Sequence, residues 1–203
     1  MAIDRKRIIE SMSKIQVEGN DDGLIPAFGV LVNQLPVTFW NSFAERLTRQ
    51  VDASLQEAAE FLLVNAAHEC GYRTGYGIIT SEEWKAVVAP MVEREPEDIL
   101  YGAFAVLAAL GWANSWIEEL TPGERMLVRA SDYYESDVAA YGRTAKHSAY
   151  MLRGVCSAFM DLAYGGPFDD SGKTGLRTFH CVQTKGIECG DEYGEFVVTL
   201  DSS

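Results

Sequence analysis

Positive charge is scarce in this chain. Its 17 Lys and Arg stand against 30 Asp and Glu, for a net charge of -13 at pH 7. Phosphate binding needs clustered Lys and Arg, so the balance argues against a nucleic-acid partner and against docking on anionic lipid. Long apolar runs are missing too. The longest, Ala103 to Leu110, is too short to span a bilayer. Cysteine is sparse: Cys70, Cys156, Cys181 and Cys189 lie far apart and form no CxxC. Met1 to Gln16 carries charges throughout and lacks the apolar core of a secretory signal. Reduced thiols in a cytoplasmic protein are therefore expected. There is no Gly-rich phosphate loop, no HExxH and no GxSxG. No cofactor is implied.

What is present is an ordinary globular composition. The hydrophobic share is 47% and the charged share 23%, which argues against disorder, and 203 residues can bury a core without staples. Ile8, Ile9, Met12 and Ile15 predict an amphipathic helix over Ile3 to Gln16. The polar run Glu18 to Gly23 then reads as a linker. Residues 1–22 are thus expected to form a helix and linker that pack on the body or on a second subunit, and 23–203 one domain. Pro26 to Pro36 reads as loop. Phe39, Trp40, Phe43 and Leu47 form a helical stripe from Val37. Asp52 or Ser54 caps the next helix, which Gly71 is expected to stop near Cys70. Tyr72 to Ile79 reads as loop. Thr80 and Glu83 form a capping box for a short helix carrying Trp84. Glu97 to Leu110 predicts a helix apolar on most sides, hence buried.

Beyond Gly111 the character changes. Trp112 to Leu120 and Met126 to Tyr134 flank the turn Thr121-Pro122-Gly123-Glu124 and predict a β-hairpin. Ser136-Asp137 caps a long helix, expected to run from Val138 to about Ala163 and to stop at Gly165-Gly166-Pro167. A polar loop, Phe168 to Gly175, leads to a second hairpin around Gly190-Asp191, closing on Phe196 to Leu200. The order predicts an α+β fold: an antiparallel sheet from two hairpins, flanked by helices, with a long helix between the hairpins.

Chemistry-bearing residues are few. His68-Glu69-Cys70 puts an imidazole beside a thiol, which it could activate as a nucleophile. Neighbours on a helix do not face each other, so the pair meets only if the helix breaks at Gly71. A buried cysteine and a satisfied histidine at a helix end is the favoured reading. Asp132 and Glu135 are two carboxylates near a strand end, suited to acid and base roles only if their environments differ. His180, Cys181 and Cys189 are soft metal donors, but strand alternation turns His180 and Cys181 to opposite faces. No metal is expected, although the three together remain a possible new site. Trp112 and Trp116 are expected on one strand face, with Cys156 and Phe159 of the long helix opposite. Such aromatic walls fit a small-molecule pocket or a plain core.

The closing segment carries a resemblance. From Gln183 it resembles the 4-vinyl-reductase-type, hydrocarbon-binding domain, whose pattern is Glu-x-x-Cys-x-x-x-Gly-x-x-x-Cys-x-Phe. Gly190 and Phe196 match; Gln183, Gly186 and Gly194 stand where that family has zinc ligands, and Cys156 alone matches a further one. The resemblance therefore implies the fold without its zinc. The Thr-Lys-x-Ile-x-x-Gly-Asp run from Thr184 is also similar to the L-2-amino-thiazoline-4-carboxylate hydrolase family. Both imply a pocket between sheet and helices, and a homodimer. The expected function is binding of a small aromatic or apolar molecule by Phe104, Trp112, Trp116, Tyr134, Cys156 and Phe159. The alternative is a hydrolase or ring-opening enzyme for a small heterocycle or amide, using His68, Cys70, Glu135 or Cys156.

Overall fold

The computed structural model describes residues 3–15, 17–168 and 178–200. Helices come first: α1 (Arg5–Met12), a two-stranded hairpin of β1 (Ile25–Ala27) and β2 (Val30–Val32), then α2 (Val37–Arg49), α3 (Gln56–Thr80), α4 (Glu82–Val87) and α5 (Glu97–Ala109). The hairpin β3 (Ala113–Thr121) and β4 (Arg125–Tyr133) follows. After α6 (Val138–Tyr141) and α7 (Tyr150–Tyr164), the chain closes with β5 (Phe179–Lys185) and β6 (Gly194–Leu200). The two hairpins share one antiparallel sheet of order β3-β4-β6-β5, with α7 across one face. This is the α+β arrangement expected from the element order.

The main core lies between that sheet and the pair α5 and α7. Ile117, Val128, Ala130, Cys181, Phe196 and Val198 meet Leu100, Phe104, Leu152, Cys156 and Phe159. A second core joins Ile8 and Met12 of α1 to Ile78, Trp84, Val88 and the other side of α5 at Ala105 and Val106. Helix α5 stands between the two cores, which explains why it is apolar nearly all round.

Four local expectations are corrected. Residues 25–32 pair as a small hairpin, with Phe28 and Gly29 at positive φ in its turn. Tyr72 to Ile79 is helical, and α3 runs through Gly71 without a stop. Each glycine in a helix costs about 1 kcal/mol against alanine, but here glycine permits contact. A Cβ on Gly71 would sit 3.1 Å from Val155 Cα, and one on Gly75 2.5 Å from Leu162 Cδ1. From the other side, a Cβ on Gly154 of α7 would lie 2.6 Å from His68 N and Val64 O. The glycines let α3 and α7 approach backbone to backbone, and packing outweighs propensity. The cap of α4 is Ser81 rather than Thr80: its Oγ accepts from Trp84 N at 3.1 Å.

The long helix after the first hairpin is in two pieces. Asp137 caps α6, whose chain leaves through Gly142 at φ +72°. Helix α7 then restarts at Tyr150 because distant acceptors take its first N–H groups. Glu135 accepts from Met151 N at 2.8 Å and Leu152 N at 3.0 Å, and Gln183 Oε1 accepts from Ala149 N at 3.2 Å. The longest helix among the described residues, α3 with 25 residues, instead precedes both hairpins of the four-stranded sheet. In the closing hairpin Ile187–Cys189 forms a 3-10 turn that ends at Gly190, φ +106°. Of the polar loop expected over Phe168 to Gly175, all but Phe168 lies outside the described residues. Phe168 stacks on Tyr72 and Tyr76 of α3.

Candidate functional site

Because α3 is unbroken, His68 and Cys70 point apart. Cys70 is exposed, with its thiol 3.9 Å from Thr74 Oγ1. His68 is buried against α7: its Nε2 lies 2.6 Å from Asp161 Oδ2 and its Nδ1 3.5 Å from Ser157 Oγ. The Nε2 contact is close but out of line for a hydrogen bond, so it is an ion pair only with a protonated ring. Serine, histidine and aspartate together suggest a hydrolytic triad, but the surroundings do not. A triad needs room for an acyl carbon beside the serine. Ser157 is 1% exposed and Asp161 0%, and the Ser157 hydroxyl has backbone acceptors in Gly154 O and Arg153 O. Asp161 Oδ1 accepts from Thr178 N and Phe179 N at 3.0 and 3.2 Å. The cluster clamps α3, α7 and the start of β5 together. A Ser and an Asp inside an apolar helical stripe were its visible signals in the sequence.

Cys156 and Cys181 are buried neighbours between α7 and β5. Burial, then Cys181, pushes the Cys156 thiol well up, away from the thiolate form a nucleophile needs. Phe104 and Phe159 meet edge to face at 5.3 Å. Cys156 and Phe159 are thus solid core. His180 is exposed and Cys181 buried, on opposite faces as alternation requires, while Cys189 contacts Thr144. Among the described residues no three His, Cys, Asp or Glu converge as a metal site.

Gln183, Gly186 and Gly194 gather around Glu188 and Tyr133. Glu188, 2% exposed, accepts from Gln183 Nε2 at 2.7 Å, from Ser148 N at 3.0 Å and from the Tyr133 hydroxyl. A Cβ on Gly186 would lie 2.7 Å from both Gln183 Nε2 and Glu188 Oε1, and one on Gly194 2.6 Å from the Tyr133 ring. A hydrogen-bonded carboxylate and a tyrosine fill the space beside these two glycines. Burial, then Glu188, pushes the Tyr133 hydroxyl far above its ordinary range. The sequence carried no signal for Glu188.

Two cavities lie beside this framework. The larger, about 430 Å³, opens between α2, the start of α3 and the 142–148 loop. Glu135 forms part of its wall, with Glu45, Glu60, Arg143, Lys146 and Tyr150. Its charges are largely matched, since Arg49 pairs with Glu45 and Lys146 with Glu60. Glu135 as a residue keeps a partial opening to solvent, but its carboxyl is enclosed. Burial raises it to about 7, against the N–H groups of Met151 and Leu152 and the Trp40 indole, which favour the anion. Tyr134 beside it is pushed far up, by burial and then by Glu135. Among the described residues no hydrogen bond or ion pair joins any two of His68, Cys70 and Glu135, although Tyr134 lies within electrostatic reach of both Glu135 and Cys70.

The smaller cavity, about 230 Å³, lies where α1 and α5 meet the edge strand β3. Phe104, Trp116, Tyr101, Ile3 and Ile117 supply apolar wall, and Arg5, Arg94 and Asp98 the polar part. Asp98 is already bound by Arg94 and by the N–H groups of Glu93 and Arg94. Phe104 and Trp116 are therefore the two expected ligand residues that share a cavity. Trp116 faces away from the sheet's core side, between buried Ser115 and Ile117, with its indole N–H on Glu118. Trp112 precedes the strand and packs against the main core. Arg5 and Tyr101 were not singled out from sequence; helical periodicity reports the apolar face and says nothing of cations at its margin.

No family model matches the sequence, and no curated protein matches it significantly. Solved structures do share the fold. The phenol-responsive sensory domain of the transcription activator PoxR, crystallised with phenol, superposes with a TM-score of 0.69 at 12% identity, over 98% of this chain and 92% of that one. A trafficking protein particle complex subunit 3 from Naegleria fowleri, covalently bound to palmitic acid, gives 0.56 at 13% identity, over 82% and 93%. At such identities the likeness establishes a common fold, an α+β domain, and nothing finer.

Proposed function

We propose that this chain is a small-molecule-binding domain of the hydrocarbon-binding, 4-vinyl-reductase type, and that it holds a small aromatic molecule in the cavity between α1, α5 and β3. The observation that carries this is a recess of about 230 Å³ walled by Tyr101, Phe104 and Trp116. Its volume matches roughly eight waters at about 30 Å³ each, room for one ring and a substituent. Aromatic walls with few polar groups are what such ligands need. The fold shared with a phenol-responsive domain supports the reading. The hydrolase alternative finds no support in the placement of His68, Cys70 and Glu135. Trp116 reports on the proposed site directly. Titration with single-ring aromatics should quench its fluorescence and raise the melting temperature, and Trp116→Leu should abolish the quench. No response to any of them overturns the assignment.

We further propose that two copies associate through α2 and α3. Helix α2 buries only Ala44 and Thr48, and leaves Phe39 54% and Phe43 47% exposed, stacked on each other. Beside it Leu55, Phe61 and Leu62 are 55–66% exposed. At ~200 Å² per large side chain these five present roughly 550 Å² of apolar surface. A standard interface buries about 800 Å² per partner, a little over half of it apolar, so the face suits a second copy. Light scattering should give the mass of two chains, and Phe43→Glu the mass of one. A parent protein of single-chain mass refutes the dimer.

A further inference from the structure

Arg5 is unlike the other cations of the chain's neighbourhood. It stands in the first turn of α1, and its guanidinium reaches across to the edge strand β3. One terminal nitrogen donates to Asn114 Oδ1 at 2.9 Å and to Ser115 O at 3.1 Å. That carbonyl belongs to an edge strand, so no neighbouring strand competes for it. The Nε is buried and has no partner. Arg5 forms no ion pair among the described residues, whereas Arg94 in the same wall is matched by Glu97 and Asp98. Desolvation alone lowers the Arg5 pKa, with no carboxylate acting against it.

A partly buried cation without a counter-charge costs free energy, as does a buried N–H without an acceptor. Such groups persist where something else satisfies them. Arg5 lines a cavity whose other walls are aromatic and aliphatic except at Arg94 and Asp98. The other polar groups there cannot answer it: Asp98 is held by Arg94 and two backbone N–H groups. The two bonds to β3 also hold the side chain in place, so little entropy is lost when it binds a ligand.

We propose that the ligand of this cavity is a small aromatic carboxylate, its ring between Trp116 and Phe104 and its carboxylate on Arg5. This deepens the reading of the cavity as an aromatic site and rests on it. With one terminal nitrogen committed to β3, the other is left for a ligand, and its charge-assisted bond to a carboxylate is stronger than one to a neutral hydroxyl. Placing the ion pair at the edge of an apolar recess sets the ligand's orientation: ring inward, anion toward α1.

The test compares benzoate with benzyl alcohol, a neutral ligand of the same size, by calorimetric titration of the full chain. Benzoate should bind at least about tenfold more tightly, since a hydrogen bond between charged groups is stronger than one to a neutral hydroxyl. Arg5→Gln should remove that preference, and Arg5→Lys should retain part of it. Equal affinity for the two in the parent protein, or tighter binding of the alcohol, overturns the carboxylate assignment and leaves the aromatic site standing. Binding of neither overturns both. The parent comparison needs no variant, so a folding defect in Arg5→Gln does not spoil the test. A benzoate preference that survives Arg5→Gln in a folded protein refutes the role of Arg5.

Discussion

Glu135 makes the fold sensitive to pH, with a sign that can be worked out. In the folded protein its carboxyl, lifted mainly by burial, titrates at about 7, against 4.5 ordinarily. Between those values the folded form holds a proton that the unfolded chain has released. Stability from this group is therefore whole below about pH 4.5 and is lost as pH rises through 7. Each tenfold difference in proton affinity is worth about 1.4 kcal/mol, so the loss between about pH 5.5 and about pH 8 is up to about 2 kcal/mol. The partial opening of the residue to solvent makes that an upper figure. Glu135→Gln cannot ionise. It also loses one acceptor for the first N–H groups of α7, at a cost of about 1–2 kcal/mol that does not vary with pH. The parent's advantage over the variant should then be larger at the lower pH. For a chain of this size, 1 kcal/mol moves the melting temperature by about 2–4 °C, so the advantage should shrink by at most about 4–8 °C on going to pH 8. Differential scanning calorimetry of both proteins at both pH values measures it. The acidity of the rest of the chain affects parent and variant alike and cancels. An offset that is the same at both pH values refutes the reasoning.

Two further outcomes concern how the site is held. Glu188→Ala strips the acceptor from Tyr133, Gln183 and Ser148 at once and should lower stability by about 3 kcal/mol or more, read as a lower denaturant midpoint. A loss no larger than the ~0.5 kcal/mol of an ordinary surface change sinks that network's structural role. Gly154→Ala should cost about 2–4 kcal/mol, because its Cβ would meet backbone of α3 that has no room to yield. By contrast, Gly142→Ala meets nothing within 4 Å, and only its φ of +72° is disfavoured, worth about 1 kcal/mol. Equal losses for the two glycine variants would count against close packing of α3 and α7.

Much of this molecule is written locally. The turn Thr121 to Glu124 lies where its Pro-Gly pair puts it, with β3 and β4 on either side. Helix α5 is buried as its composition requires. Patterns of this kind need only a residue's near neighbours, because strand alternation and turn chemistry act over a few positions.

Other features depended on residues far apart in the chain. Local propensity would end α3 at Gly71, but contact with α7 carries the helix on to Thr80. The start of α7 is set by Glu135, Gln183 and Glu188, which reach its first residues from 16 to 40 positions away. His68 gained Ser157 and Asp161 across 89 and 93 positions and lost Cys70, two residues away, to the opposite side of the helix. The cavity at Arg5 joins the first helix to the edge of a strand more than 100 residues later. Periodicity reports which face of each element is apolar. Which faces meet, and which polar groups are left without partners where they meet, is decided by packing among distant segments, and the candidate site lies at one of those meetings.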